Sequence, residues 1–597
     1  MNSNSIWNNA NSIFLETNLI KEEDFRNILF LNPVELLIAY TLAEVEIVLK
    51  RVEFYTNQGY YLAGYIGYEA GYLFETYFRR IYEKERFNFP LVWFGVYKNP
   101  VIQNASAPSA YNFSKKDFSI EKLSFAFSEK IYKKKIETIL EHIRCGETYQ
   151  VNFTFPLHFT VNGDLPSFYN ALKFTQKVSY SAIINDGSKM LLSFSPELFF
   201  KREKDNILMR PMKGTIQRGN SRLDDEIKIR EFKSDSKIKA ENSMIVDLIR
   251  NDLSKVSEIG SVKVERLLEV EEYETLFQMT STVKSKLKKK LSYFELFRAI
   301  FPGGSITGAP KFKTMQIIRD LESSQRGVYT GAIGFISKDE SIFNIAIRTI
   351  EIQNNVGKMG IGSGIVWDSI PENEYKECLL KQRFLQNTMH FELIESILLK
   401  NGIFYFLNLH LIRLESSASF FGFLFDREKI LRSLDFLKLE LESEKKISRF
   451  KVRLLLSRSG EIHLEHSSIT KTKKEVGKIA INHKKIDSEN IFQIHKTTNR
   501  LFYTTEYKKA LDKNLKDYVF LNEKNEIVET SIYNLFIKSN GNYFTPPISS
   551  GALPGVMREY LIRKGKIKEK TLTIPDLESA EKIYICNSVR GIMRVIL

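Results

Sequence analysis

Three apolar segments, the first and last punctuated by glycine, follow one another between Tyr329 and Trp367: YTGAIGFIS, FNIAIRTIEI and KMGIGSGIVW. Short β-branched runs of this kind, separated by polar turns, predict strands of one sheet. Glycine inside a strand pattern marks a bulge or a close backbone approach, and GIGSG offers several free N–H groups. At 597 residues the chain is too long for one core, so the sheet belongs to one of two to four domains.

Hydrophobic content of 43% and aromatic content of 12% suit packed cores. Net charge is +15, from 87 Lys+Arg against 72 Asp+Glu. The basic residues are spread out, KLKKK (Lys286 to Lys290) being the densest run, so the clustered footprint of a nucleic-acid binder is missing. Three separated cysteines, Cys145, Cys378 and Cys586, form no CxxC pair. That argues against zinc or a disulfide framework and fits a reducing, cytoplasmic setting. The first residues lack a basic start followed by an apolar run, so a signal peptide is not expected. No apolar stretch approaches the roughly 20 residues that cross a bilayer.

Up to about residue 125 the pattern mixes helix and strand. NPVELLIAYTLAEVEIVLKRVEFYTNQG predicts one or two amphipathic helices; YYLAGYIGYEAGYLFE and PLVWFGVYK predict strands. QNASAPSAYNFSKKDFS predicts a loop. From Ser128 a helix, a stop at Gly146 and a strand are expected. SYSAIIND and KMLLSFSPELFFKRE then form a hairpin around Asp186-Gly187. Glu197 follows Pro196 at a strand turn, and Lys213, in RPMKGT, comes sixteen residues later.

Two helices carry carboxylates of uncertain purpose at this level. In SDSKIKAENSMIVDLIRNDLSKV, helical spacing sets Glu241 on or beside the apolar face. A buried carboxylate there needs a cation; a rim position facing water is the alternative. In PENEYKECLLKQRFL, Glu374, Glu377 and Lys381 share one face, as a surface ion-pair ladder or as magnesium ligands. FPGGSITGAPK is either a tight turn or an anion cradle before a helix, without the GK[ST] ending of a P-loop.

FSPELF, RPMKGT, AENSMIVDLIRNDLSKV, FPGGSITGAPK, YTGAIG, AIRT, GIGSGIVWDS and ENEYKECLLK occur in that order. Together they resemble the chorismate-utilising enzymes, which include anthranilate synthase, isochorismate synthase and aminodeoxychorismate synthase components. The resemblance spans roughly Ser128 to Arg383, and residues 1–125 look like the family's more variable part. It implies an α+β fold, a two-lobed antiparallel β-sandwich with surrounding helices, over residues 1–386, with the catalytic core at 126–386. PxKGT is similar to the aminodeoxychorismate synthases; anthranilate synthases carry a small residue in place of the lysine, and histidine where Gln278 stands. The resemblance implies Lys213 as nucleophile, Glu197 as general acid, and Glu241 and Glu377, with Glu374 beside them, as Mg2+ ligands. Thr307, Tyr329, Arg348, Gly362, Ser363, Gly364 and Lys381 are implied as substrate contacts. The partners implied are chorismate and ammonia, the latter from a separate glutamine amidotransferase subunit, because no glutaminase is visible: Cys145 lies in RCGET, outside any nucleophile elbow.

After a short join, HLIRLESSA, HKTTNR, ETSIYN, LPGVMR and SVRGIM occur in order. They resemble the class IV pyridoxal-phosphate fold of branched-chain and D-amino acid aminotransferases and 4-amino-4-deoxychorismate lyase. The resemblance implies an α/β fold with two subdomains over residues 390–597, with homodimerisation through it. It assigns Lys496 as the Schiff-base residue and Glu529 as the partner of the pyridinium nitrogen. Arg413 and the turn Gly555-Val556-Met557 are implied as phosphate contacts, and Arg590 as a carboxylate contact. Where the family often has tyrosine, five residues after the lysine, this chain has Leu501. The two halves in series imply chorismate amination followed by pyridoxal 5'-phosphate-dependent loss of pyruvate, giving 4-aminobenzoate for folate synthesis. The alternative is an anthranilate synthase-like enzyme fused to an aminotransferase.

Overall fold

The structure is a computed structural model and describes residues 4–19, 26–104, 118–175, 178–218, 222–272, 276–386, 391–421, 423–443, 449–469, 476–488 and 490–597. The chain divides into two compact units, Met1–Thr388 and Met389–Leu597. Most of the loop expected around residues 103–119 lies outside the described residues, as does the Leu501 side chain.

Two ten-stranded sheets, wholly antiparallel in their described pairings, make the first unit. A core of residues from both sheets, including Ile13, Phe30, Tyr65, Trp93, Ile184 and Phe335, fills the space between them. Each outer face is covered by helices. Helices Glu129–Arg144 and Pro371–Gln386 pack over one sheet; Leu42–Asn57, Ser236–Ser254 and Tyr293–Ile300 pack over the other. The helix Glu129–Arg144 buries Tyr132, Ile136, Ile139, Leu140 and Ile143, the stripe its sequence period predicts, and Gly146 follows at φ +72°.

Three sequence expectations are corrected. NPVELLIAYT opens as the strand Glu35–Ala39, paired with the buried strand Val92–Tyr97. The helix starts only at Leu42, because Thr41 and Glu44 form a capping box there. KMLLSFSPELFFKRE is two strands in different sheets: Met190–Ser195 pairs in the first and Leu198–Glu203 in the second. FNIAIRTIEI is likewise divided, into Glu340–Ile345 and Thr349–Gln353. The segments from Tyr329 to Trp367 therefore serve both sheets rather than one. The apolar run is unbroken because both sheets are buried there, so sequence pattern alone gives no signal for the change.

The second unit has two parts. A four-stranded sheet packs against helices Leu407–Phe421 and Arg427–Ser443. Its first turn uses Asn401 and Gly402 at positive φ, and its hairpin Arg449–Leu456/Ile462–Ser468 turns at Gly460. An eight-stranded mixed sheet follows, with Gly477–Ile486 parallel to Asp517–Asn522.

Trp93 is 1% exposed between the two large sheets. Trp93→Ala is expected to destabilise the first unit by about 3–5 kcal/mol, measured by urea unfolding followed by near-UV circular dichroism; a loss below about 1 kcal/mol would contradict this packing.

Candidate active sites

Glu197 and Arg348 lie in two of the links that carry the chain from one sheet to the other. These two run side by side. The Ile345 N–H donates to the Glu197 carbonyl (3.1 Å), the Phe194 N–H to the Arg348 carbonyl (3.1 Å), and the Ser195 hydroxyl to the Ile345 carbonyl (2.6 Å). Glu197 is 5% exposed. Burial pushes its carboxyl up to about 7, against the Ser305 hydrogen bond and the Lys213 charge that pull it down.

Lys213 sits on the strand Met212–Gln217, whose pairing with Leu276–Lys286 slips between Met212 and Thr215. The slip is a bulge with Gly214 at φ +80°. A Cβ on Gly214 would also come within 2.6 Å of Ile238. The Lys213 ammonium donates to the Ser305 carbonyl (3.0 Å), and the Ser305 hydroxyl donates to Glu197 Oε1 (2.7 Å). Burial lowers the Lys213 pKa, outweighing Glu197 and Glu241, which oppose the shift. Both groups are thus driven toward their neutral forms.

The helix Ser236–Ser254 docks through Asn242, which is 1% exposed. Its amide donates to the Lys213 carbonyl (3.3 Å) and accepts from the Ser281 hydroxyl (2.8 Å). Glu241, one residue earlier, is partly buried at the edge of that face. Its pKa is raised, first by burial and then by the charges of Glu374 and Glu377. The Glu374 carboxylate accepts from the Ser369 hydroxyl (2.7 Å), and Lys381 donates to Glu377 (2.7 Å) and to the Gly362 carbonyl (2.5 Å). Lys381 and Glu377 are 45% and 51% exposed, so the cleft is open on this side. Among the described residues no three His, Cys, Asp or Glu groups close a metal cage. An open set of mutually repelling carboxylates fits magnesium, which takes one or two protein carboxylates plus substrate oxygens.

The remaining expected contacts divide by orientation. Gly364 lies beside Lys213: a Cβ there would be 3.6 Å from Lys213 Nζ and 3.0 Å from Gln150 Nε2. Ser363 faces the other way, its hydroxyl 3.2 Å from that of Tyr132. Thr307 is fully buried and its hydroxyl donates to the Gly303 carbonyl (2.9 Å). Tyr329 lies against Gly360, and burial pushes its phenol up to about 12. Sequence marks Ser305 only as part of the candidate anion cradle FPGGSITGAPK and does not single out Asn242 or Gln150. Only its place inside the motif AENSMIVDLIRNDLSKV could have flagged Asn242.

In the second unit Lys496 lies between the helices Ile491–Ile494 and Leu501–Asp512. Its carbonyl accepts from the Ile394 N–H (3.0 Å), and Thr497 bridges Leu393. Burial, then the charges of Arg413 and Arg500, push the amine down to about 7. Glu529 is 2% exposed and accepts from Asn534 (3.1 Å), the Leu553 N–H (3.2 Å) and Arg500 (3.3 Å). Burial pushes it up to about 7. Arg413 donates Nε and Nη2 to Glu395 (2.8 and 2.6 Å) and Nη1 to the Pro554 carbonyl (3.0 Å). The rest of its five-donor fork remains for an anion. Pro554 leads into Gly555, the N-cap of helix Val556–Arg563, whose first turn carries Val556 and Met557. Arg590 donates to the hydroxyls of Tyr533 (2.6 Å) and Tyr507 (3.2 Å). A buried amine, a buried carboxyl, and an arginine beside a helix start fit the three polar ends of pyridoxal phosphate.

Residues 17–387 match the family described as chorismate binding enzyme, and residues 392–596 that described as amino-transferase class IV. The first match takes in more than half of the chain, which belongs to the chorismate binding enzymes. The class IV match implies pyridoxal phosphate for the second unit. Over 290 residues the chain is 40% identical to the probable aminodeoxychorismate synthase, chloroplastic, of Oryza sativa subsp. japonica, covering 48% of this chain and 32% of that protein. Over 269 residues it is 35% identical to aminodeoxychorismate synthase component 1 of Bacillus subtilis (strain 168), covering 45% and 57%. The chain thus spans about a third to just over half the length of these relatives. The crystal structure of anthranilate synthase component I from Streptococcus pneumoniae TIGR4 superimposes with a TM-score of 0.54 at 25% identity, over 62% of this chain and 94% of that one. The α+β sandwich expected of the first unit is the fold observed.

A Cβ on Gly555 would stand 1.7 Å from Asn534 Oδ1, which belongs to the residue holding Glu529. Gly555→Ala is expected to weaken pyridoxal phosphate binding by about 1–3 kcal/mol, read by absorbance titration of the stripped protein; unchanged affinity would show that the turn yields freely.

Proposed function

We propose that the chain is a bifunctional enzyme that aminates chorismate to 4-amino-4-deoxychorismate and then eliminates pyruvate to give 4-aminobenzoate for folate synthesis. The observation that carries this reading is Lys213 on its bulge, its pKa lowered by burial, joined through Ser305 to a Glu197 driven toward its protonated form. A neutral amine and a protonated carboxyl are the nucleophile and the acid that displacement of a hydroxyl needs.

In the first site, Arg348, Lys381, Tyr329, Thr307 and the Gly362–Gly364 strand orient chorismate, an arginine being suited to grip a carboxylate with two bonds. Lys213 Nζ attacks C2, both conjugated ring double bonds shift around through C1, C6 and C5, and the C4 hydroxyl leaves as water with the proton of Glu197. Ammonia then attacks C4, both double bonds shift back, and the bond from C2 to Lys213 breaks. The new C4 ammonium returns a proton to Glu197, so both groups regain their starting forms. Glu241 and Glu377, with Glu374 beside them, would hold Mg2+, which would supply positive charge for the ring carboxylate of chorismate.

In the second site Lys496, Glu529, Arg413 and the Gly555-Val556-Met557 turn would hold pyridoxal phosphate, which supplies an electron sink when bound. Lys496 takes the proton from C4 of the aminated ring, the C3–O bond breaks, and the departing enolpyruvate is protonated to pyruvate. Aromatisation drives the step. A separate glutamine amidotransferase supplying ammonia, a homodimer through residues 390–597 and a cytoplasmic setting complete the reading. The two activities are assigned to residues 1–386 and 390–597. No helix among the described residues is long and apolar enough to cross a membrane.

Purified protein with chorismate, Mg2+ and ammonia is expected to yield 4-aminobenzoate and pyruvate; absence of both sinks the reading. Lys213→Ala is expected to abolish amination while leaving added 4-amino-4-deoxychorismate convertible to 4-aminobenzoate. Lys496→Ala should do the opposite and accumulate the intermediate, as mass spectrometry of the products would reveal. With free ammonia held constant, kcat for amination is expected to fall as pH rises through about 7, because Glu197 loses its proton there. A rate that stays flat as pH rises through about 7 would contradict the role of Glu197.

A further inference from the structure

Behind the Ser305 segment lies an ion pair that neither the sequence motifs nor the reaction accounts for. Arg326 and Glu322 have side chains 2% and 5% exposed and meet through two bonds, Nη2 to Oε1 (2.7 Å) and Nε to Oε2 (2.9 Å). The guanidinium lies 4.5 Å over the Tyr68 ring. Its free edges reach two main-chain carbonyls: Nη1 donates to Ile306 (3.0 Å) and Nη2 to Asn152 (2.6 Å). Asn152 closes the figure, its N–H donating to the Thr307 carbonyl (2.8 Å) and its amide to the Ile306 carbonyl (3.1 Å). Glu322 is itself fixed by the N–H and hydroxyl of Thr154 (2.8 and 2.9 Å). Glu69 accepts from the N–H groups of Arg326 (2.6 Å) and Gly327 (3.0 Å).

The clamp therefore grips the peptides immediately after Ser305, and Ser305 is the one described residue that hydrogen-bonds to both Lys213 and Glu197, by its carbonyl and its hydroxyl. We propose that Ser305 is a positioning residue that sets Lys213 and Glu197 against one another, its main chain fixed from behind by the Glu322–Arg326 pair. Resting on the amination reading above, the inference explains why a strongly desolvated arginine is kept in this place. Its planar fork spans two carbonyls and a carboxylate at once, which a lysine ammonium cannot do. Through its hydroxyl and its carbonyl Ser305 thus links the Glu197 carboxyl (2.7 Å) to the Lys213 amine (3.0 Å).

The test compares Ser305→Ala, Ser305→Thr and Arg326→Lys with the wild type, measuring kcat and KM for chorismate against pH at constant free ammonia. The charged group facing Glu197 is Lys213, on which Glu241, Lys381 and Glu377 act in turn. Ser305→Ala keeps the carbonyl and loses only the bond to Glu197. It is expected to unfold at the wild-type temperature, to lower kcat roughly ten- to a hundredfold with little change in KM, and to move the alkaline limb of the profile to higher pH. The sign follows because the lost bond stabilised the carboxylate. Ser305→Thr should restore both rate and limb, and Arg326→Lys should lower kcat more than it raises KM. An alkaline limb that stays in place in Ser305→Ala, or a rate that threonine does not restore, overturns the inference. A wild-type enzyme inactive toward chorismate would instead overturn the amination reading beneath it.

Discussion

Two strand pairs crossing between the sheets, at Ser195–Leu198 and Ile345–Thr349, are the constraint on which the first unit depends. A sandwich of two large antiparallel sheets is usually joined at its edges. Here the chain passes between them in the interior, twice and side by side. Passing there interrupts both ladders, and the interrupted groups are satisfied across the links, Ile345 N–H to Glu197 and Ser195 hydroxyl to Ile345. The same interruption sets Glu197 and Arg348 on neighbouring links. The bulge at Gly214 and the turn at Ser305 then join Lys213 to Glu197.

The two lysines reach reactivity by different balances. Both are desolvated, and burial is the largest influence on each. Around Lys496 the next influences are cations, Arg413 and Arg500, which add to burial and take the amine down to about 7. Around Lys213 the next influences are carboxylates, Glu197 and Glu241, which oppose it. Burial prevails there all the same, and it also pushes Glu197 toward its neutral form. The pair is thus coupled, and its connecting residue is Ser305.

Much of this was legible in the sequence, and what was not has physical reasons. The candidate site residues Lys213, Glu197, Lys496 and Glu529 are legible only through the order of the motifs and the families these resemble; position alone would make Lys213 a turn residue and Lys496 a surface lysine. The helix Glu129–Arg144 and the hairpin at Gly460 follow from period and turn residues. The division of FNIAIRTIEI between two sheets was hidden, since a strand buried on both sides reads the same whichever sheet it joins. The strand Glu35–Ala39 was hidden by its apolar spacing, which also suits a helix, and only the Thr41–Glu44 box decides where the helix begins. Asn242 carries no spacing signal, and Arg326 only its i,i+4 spacing from Glu322. The main-chain groups they hold are tens to hundreds of residues away, as with Arg326 and Asn152.

Where nitrogen enters the ring tests the account most directly. The purified chain should be given chorismate, Mg2+ and isotopically labelled ammonia, and the aromatic product examined by nuclear magnetic resonance. The account predicts the label at the carbon para to the carboxylate, in 4-aminobenzoate. Label at the ortho carbon, in anthranilate, would contradict it, because direct amination at C2 would leave Lys213 without a part in the reaction.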